Sequence, residues 1–378
     1  MELLILVLTS LPFFFILHFI NHNHNRNRRL PPGPTGLPII GNLLDLGPKP
    51  HESLAKLSKK HGPLMTIRLG STTTVVASTP EAAREILQHN DEACSGRVVP
   101  DAVSSLPDND VAMAWIPAND EFRTMRKALS ICLTNQHKLD TFRDLRQNVV
   151  QGMLDFLNES GRKKANVDIG KLAFAVALNM MSNTCLSRNV TNYESDDIAG
   201  FKSAVKTVMN MVGKFNIADI FPILKPLDPQ NIRRQGKAAY GWLEKIVEGF
   251  ISERLKYRES KLARFGDMLD SLLDYSENNE AEFTLKHIKI LLVELFLAGT
   301  ETSSNTTEWA MTELLLNPDM MCPGIPVAQR VVSLMVASFV YHCDWKLPHA
   351  REEMNMEDIF GLTLFRATPL LASPIPVA

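Results

Sequence analysis

A mainly α-helical domain with a small β part, preceded by an N-terminal membrane helix, is the fold class that three features of this sequence predict. Apolar residues recur at three- and four-residue spacing through most of residues 120–316. Alternation rich in Thr and Val is confined to a stretch around residue 70, and an uncharged apolar run opens the chain. With 378 residues, 45% hydrophobic and 22% charged, the chain can bury a large core. Forty Lys and Arg against forty-two Asp and Glu leave a net charge of -2, so no global field recruits nucleic acid. Cys94, Cys132, Cys185, Cys322 and Cys343 are scattered and odd in number, which argues against a disulfide framework and for a reducing compartment.

Taken in order, residues 3–20 ("LLILVLTSLPFFFILHFI") are eighteen residues without formal charge, close to the lower limit for crossing a bilayer. No basic residue precedes the run and no small-x-small cleavage site follows it, so residues 1–20 read as a retained transmembrane anchor. Arg26, Arg28 and Arg29 just behind it place the body of the protein in the cytosol by the positive-inside tendency. Residues 21–50 form a basic and proline-rich hinge. Its later part, 30–50, carries six prolines and four glycines and reads as a stiff, extended connector without helix. "GPLMTIRLGSTTTVVAS" reads as two strands turning at Gly70-Ser71, and Pro80 opens a helix with an acid behind it. Helices are predicted over Glu121 to Cys132, Leu139 to Leu157, Ile169 to Leu186, Phe201 to Val212, Ile232 to Tyr257, Phe265 to Tyr275 and Thr284 to Leu316. The terminal "ATPLLASPIPVA" reads as a strand region whose prolines restrict it to an edge or loop.

The last helix would run about 50 Å at 1.5 Å per residue, so it crosses a whole domain. Its middle, Ala298-Gly299-Thr300-Glu301-Thr302-Ser303, breaks the rules of a good core helix. Gly costs roughly 1 kcal/mol against Ala, and clustered hydroxyls compete for backbone carbonyls. Gly299 would let something flat or small approach the backbone, with the Thr302 hydroxyl and Glu301 carboxylate beside it, an arrangement suited to delivering protons to a ligand. The plain alternative, Thr and Ser on a solvent-facing stripe, is opposed by the apolar runs on both sides. A zinc site from His342, Cys343, His349 and Cys322 matches no structural zinc spacing.

Four signatures in order make the chain resemble the plant microsomal cytochrome P450s, haem-thiolate monooxygenases. They are the anchor with "PPGPTGLPIIGN", "FRTMRK" (122–127), "AGTETS" (298–303) and "CPGIPVA" (322–328). Within that family, "LSKKHGPLMTIRLGS", "FPILKPLDPQ", "EGFISERL" and "CDWKLP" are similar to the terpenoid-hydroxylating branch that includes geraniol hydroxylases and ferruginol synthase. The resemblance implies a haem-dependent hydroxylation of a small apolar plant metabolite, a terpenoid, with O2 and electrons from NADPH-cytochrome P450 reductase. It also implies a single-pass protein of the endoplasmic reticulum membrane with its catalytic domain in the cytosol.

Residue by residue, the resemblance makes Cys322 the iron ligand, whose thiolate favours O–O cleavage. It places Arg126 and Phe122 at the haem propionates, Phe122 standing where tryptophan is usual. Gly324 and Ala328 would fit the turn and following helix against the ring, and Gly299 would allow close approach from the other face. Thr302 and Glu301 would handle protons, and Leu292, Phe296 and Ala298 would face substrate.

The domain, residues 51–378, is shortened relative to that pattern, with a junction near 320–322. The E-x-x-R helix and the front of the cysteine signature are missing; Leu315, Pro318 and Met320 stand where Phe, Gly and Arg are expected. Glu81-Ala82-Ala83-Arg84 fits E-x-x-R only by chance, near the amino terminus. Nineteen residues separate Thr302 from Cys322. A helix to Leu316 carries the chain about 21 Å away from Thr302, and six extended residues return at most about 20 Å. Cys322 is therefore expected to be displaced unless the helix unwinds early. The alternative reading is a non-catalytic, membrane-anchored remnant, a splice variant or truncated gene product unable to hold haem.

Overall fold

The computed structural model describes residues 30–134, 140, 142–193, 197–260, 264–279, 281–317, 332–350, 353–359 and 365–376. The anchor (1–20), the arginines behind it, and Cys322, Gly324 and Ala328 lie outside these residues. Two compact units emerge. One comprises Met1–Gly96 with Asn216–Gln230, and the other Arg97–Phe215 with Asn231–Ala378.

In the first unit, helix α1 (Pro50–His61) precedes an antiparallel hairpin of β1 (Leu64–Leu69) and β2 (Thr72–Ala77), in which Leu69 faces Thr72 across the predicted turn. Gly70 adopts φ +56°, and a side chain there would strike Ile220, so both its backbone and its space require glycine. The proline-rich segment is not the stiff, extended connector that its composition predicts. The Thr66 amide donates to the Pro32 carbonyl at 2.9 Å, Gly41 bridges to both Leu37 and Leu69, and the buried Asn42 carboxamide accepts from the Arg68 amide at 2.8 Å. The segment folds back onto β1 because its prolines keep their carbonyls as acceptors while lacking only donors. Leu43–Leu46 form a helical turn, and α1 begins with Pro50 at its first turn, so helix starts where the sequence reading placed only hinge.

The second unit is mainly helical. Helix α2 (Asp120–Leu129) starts at Asn119, whose side chain accepts from the Phe122 amide at 3.1 Å. Helix α3 (Arg143–Arg162) runs to a short strand, β3 (Val167–Asp168), which leads directly into α4 (Ile169–Leu186). Helices α5 (Asp197–Gly213), α6 (Ile232–Glu259), α7 (Met268–Asn278) and α8 (Leu285–Leu316) follow. Helix α7 starts three residues later than predicted, because Asp267 caps it by accepting from the Asp270 amide at 3.0 Å. Asp267, itself 1% exposed, also holds Arg254 of α6 in a two-pronged ion pair at 2.6 and 2.7 Å, which locks α6 to α7.

Helices α4 and α8 pack side by side and belong to two apolar clusters at once. Phe174 and Leu178 of α4 join Leu291 and Phe296 of α8 in one cluster; Val176 and Met180 join Met311 and Leu315 in the other. Helix α4 is long and apolar enough to cross a membrane, yet nearly all of it is buried within this unit. Its hydrophobicity all round is that of a core helix. The close approach at its start needs Gly170, since a methyl there would collide with the buried carboxylate of Glu308, which accepts from the Leu370 amide at 3.1 Å. Gly170→Ala is expected to cost about 2 kcal/mol in urea unfolding, because Glu308 must leave that amide to admit the methyl.

Helix α9 (Val332–His342), β4 (Cys343–Lys346), the pair β5 (Asp358–Ile359) and β6 (Phe365–Arg366), and β7 (Leu371–Pro376) complete the unit. Strand β7 lies between β3 and β4, which differs from the edge or loop expected of a strand with two prolines. The resolution is in the register. Leu371 and Ala372 pair with β3, whereas Ser373 to Pro376 pair with β4, so each residue has a neighbour on one side only.

Candidate active site

Helix α8 begins with a reciprocal cap between Thr284 and His287, and the His287 ring meets the Glu121 carboxylate of α2 at 2.6 Å. From there, one side of the helix forms a wall of a cavity of about 350 Å³, through Leu291, Glu294, Leu295 and Ala298. Loop residues Met113 and Trp115, Phe122 and Arg126 of α2, Val208 of α5 and Tyr240 of α6 supply other walls. The lining is apolar apart from a few groups. Its two cations are Arg97, which donates to the Ala114 carbonyl at 2.7 Å, and Arg126, whose guanidinium lies 5.7 Å from the centre of the Phe122 ring.

The structure distributes the sequence-predicted residues unevenly. Arg126, Phe122 and Ala298 come together on this cavity. Leu292 and Phe296 do not: both are packed into the core cluster, with Phe296 6.2 Å from the ring of Phe201. Leu291, Leu295 and Ala298 recur at spacings of four and three, Leu297 widens that face, and Leu292 and Phe296 lie off it. Gly299 also differs from expectation. The group that fills the space above it is the Met181 methyl of α4, so this glycine serves helix packing.

Glu301 and Thr302 part company for the same geometric reason, neighbours on a helix pointing about 100° apart. Thr302 is exposed and its hydroxyl donates to the Ala298 carbonyl at 2.6 Å; Thr306 repeats this one turn on, to the Thr302 carbonyl at 2.8 Å. Both hydroxyls are therefore engaged with the helix's own carbonyls on its exposed side. Glu301 is 4% exposed, and its Oε2 has no hydrogen-bond partner among the described residues. Burial pushes its carboxyl up to about 7, only partly offset by the charges of Lys206 and Lys202 on α5.

Glu294 and Arg97 are among the cavity residues that the sequence did not reveal. Glu294 accepts from the amides of Met113 and Ala114 at 3.1 and 2.9 Å, and Arg97 grips the same loop from its other side. The one signal for Glu294 was a lone acid inside "LLVELFLAG"; Arg97 in "SGRVVP" gave none. Among the described residues no three His, Cys, Asp or Glu side chains gather to hold a metal ion, His342, Cys343 and His349 included.

The donor set fits haem on the sides that are described. Two guanidinium groups on one apolar cavity match a flat apolar group with two carboxylates, and exposed Ala298 and Thr302 offer a low-relief surface. The comparisons with known proteins agree. A profile of the cytochrome P450 family matches residues 31–321. Geraniol 8-hydroxylase of Catharanthus roseus is 39% identical over 85% of this chain, which spans 65% of that protein. Ferruginol synthase of Isodon rubescens is 40% identical over 84% of this chain and 64% of its own length. Cytochrome P450 76C2 of Arabidopsis thaliana aligns over 488 positions at 31% identity, covering 96% of this chain and 95% of its own. This chain belongs to the cytochrome P450 family.

Proposed function

We propose that this chain is a haem-dependent monooxygenase that hydroxylates a small apolar plant metabolite of the terpenoid class. The observation that carries the reading is the apolar cavity with Arg97 and Arg126 on its lining and the oxygen-side helix α8 as its wall. Arg126 and Arg97 would hold the haem carboxylates, Phe122 would flank the ring edge, and Cys322 would be the iron ligand, with Gly324 and Ala328 giving it room. Haem bound through a thiolate supplies the oxygen-activating chemistry. The chain's own part is to exclude water with Met113, Trp115 and Val208, to set the cavity floor with Ala298, and to hold protons at Glu301 Oε2 and Thr302 Oγ1. Leu292 and Phe296 act from behind the wall, fixing α8 against α5. The terpenoid class rests on the names of the relatives, which act on geraniol or make ferruginol. An anchor over residues 3–20 would hold the domain at the cytosolic face of the endoplasmic reticulum, beside NADPH-cytochrome P450 reductase.

A second reading, the non-catalytic remnant, is favoured by specific observations. Helix α8 stays helical to Leu316, so the early unwinding that would free chain for Cys322 does not occur. The family match stops at residue 321, beside the junction inferred from sequence. An alignment of 488 positions against 378 residues leaves at least 110 positions where this chain has nothing, which supports an incomplete proximal side.

A carbon monoxide difference spectrum of the reduced full chain in membranes tests both. The long-wavelength Soret band of a thiolate-ligated haem is expected from the first reading. Haem content near zero with helical circular dichroism retained would overturn it in favour of the second.

A further inference from the structure

We infer that Glu294 is a positioning residue that latches the loop 107–116 onto helix α8 and thereby sets the shape of the cavity. The inference concerns the site of the proposed monooxygenase and rests on that reading for its biological use, but not for its geometry. The loop supplies Pro107, Asn109, Ala112, Met113, Ala114 and Trp115 to the cavity lining, so its position decides what the cavity admits. Its own structure is limited to short turns, one at Asn109–Val111 and one closed by the Trp115 and Ile116 amides on the Ala112 carbonyl, which leaves the Met113 and Ala114 amides to partners outside it.

The holding groups divide into two kinds. At the near end, Lys286 reaches Asp110 at 2.8 Å and Lys289 reaches Asp108 at 2.9 Å; Lys286 and Asp110 are exposed enough for water and salt to screen them. At the far end, the Glu294 carboxylate takes the two successive amides of Met113 and Ala114, 181 and 180 residues away in sequence. Arg97 takes the Ala114 carbonyl, so both polar groups of that peptide region are satisfied by side chains. Burial raises the Glu294 carboxyl above its ordinary range, while the amides of Ala114 and Met113 and the charge of Arg97 pull the other way. An acid kept at that cost on an otherwise apolar wall is explained by the amides it holds.

Hydrogen exchange on the full chain, followed by mass spectrometry, tests the latch without any need for haem. In Glu294→Leu the amides of Met113 and Ala114 are expected to exchange at least about tenfold faster, while the peptides of α4 keep their protection. Glu294→Gln, which retains one acceptor, is expected to fall between. Binding of N-phenyl-1-naphthylamine, an apolar fluorescent probe, reads the cavity: Glu294→Leu is expected to weaken it about tenfold and Glu294→Gln less. Unchanged exchange at Met113 and Ala114, or equal loss of protection in α4, would overturn the assignment, as would equal probe affinity in all three proteins or no binding by the wild type. A haem-free chain that still shows both effects would separate this inference from the proposed activity, leaving the first intact when the second fails.

Discussion

Glu301→Gln is expected to stabilise the protein above pH 7 by about 2–3 kcal/mol, and to remove a fall in stability that the wild type shows between about pH 4.5 and 7. The sign follows from proton counting. The folded carboxyl holds its proton up to about 7, whereas the unfolded one releases it near the ordinary value of 4.5. Between those limits the folded state binds more protons, so stability drops as pH rises; above about 7 the whole penalty remains. Lys206 and Lys202 reduce the penalty without removing it, and each ammonium also faces an aromatic ring, Lys206 at 5.5 Å from Phe365 and Lys202 at 6.0 Å from Phe174. Glutamine keeps the shape and carries no charge to desolvate. Urea unfolding of both proteins from pH 4.5 to 8.5 measures it, and parallel curves would show that Glu301 is hydrated in the folded state.

Asp267→Asn is expected to destabilise the fold by about 3 kcal/mol, the lower end of what breaking a buried ion pair costs. Asparagine caps a helix as well as aspartate does, so the start of α7 survives and the loss isolates the charge. What remains is Arg254, 7% exposed, with one of its two carboxylate partners gone and Asp270 still 3.2 Å away. That surviving partner is why the cost stays at the lower end. Arg254→Met combined with Asp267→Asn should cost less than the two changes added together, because the second removes nothing that the first has not already stranded. Chemical denaturation of the two single variants and the double one measures the coupling; simple additivity would mean that Arg254 and Asp267 do not act as a pair.

Long, buried elements were the most legible part of the fold. The bounds of α4 and the end of α8 agree with the apolar spacing, because both helices bury residues over their whole length and leave the period unbroken. Helix α1 was missed for the opposite reason: it buries none of its residues, so no apolar stripe marked it. The turn at Gly70-Ser71 was legible because glycine there has a steric cause. At the site, the resemblance to the family's motifs pointed to Ala298, Phe122 and Arg126, and all three line the cavity. Phase was harder than position, and Leu292 and Phe296 fell on the core side. The Glu294 latch lay beyond reach, since a carboxylate reveals nothing about which amides, far along the chain, will come to meet it.

The split pairing of β7 leaves each half of the strand with one flank that no strand pairs among the described residues. An unfinished flank of this sort can template an incoming chain and start intermolecular assembly. Successive backbone groups of a strand point to opposite flanks, so with Ser373 and Ile375 left to donate towards β4, the donors that Pro374 and Pro376 lack are both missing from the other flank, and a foreign strand docking there would meet acceptors only. The residues that first seemed unsuited to a middle position are thus ones that would discourage a neighbouring molecule from pairing there.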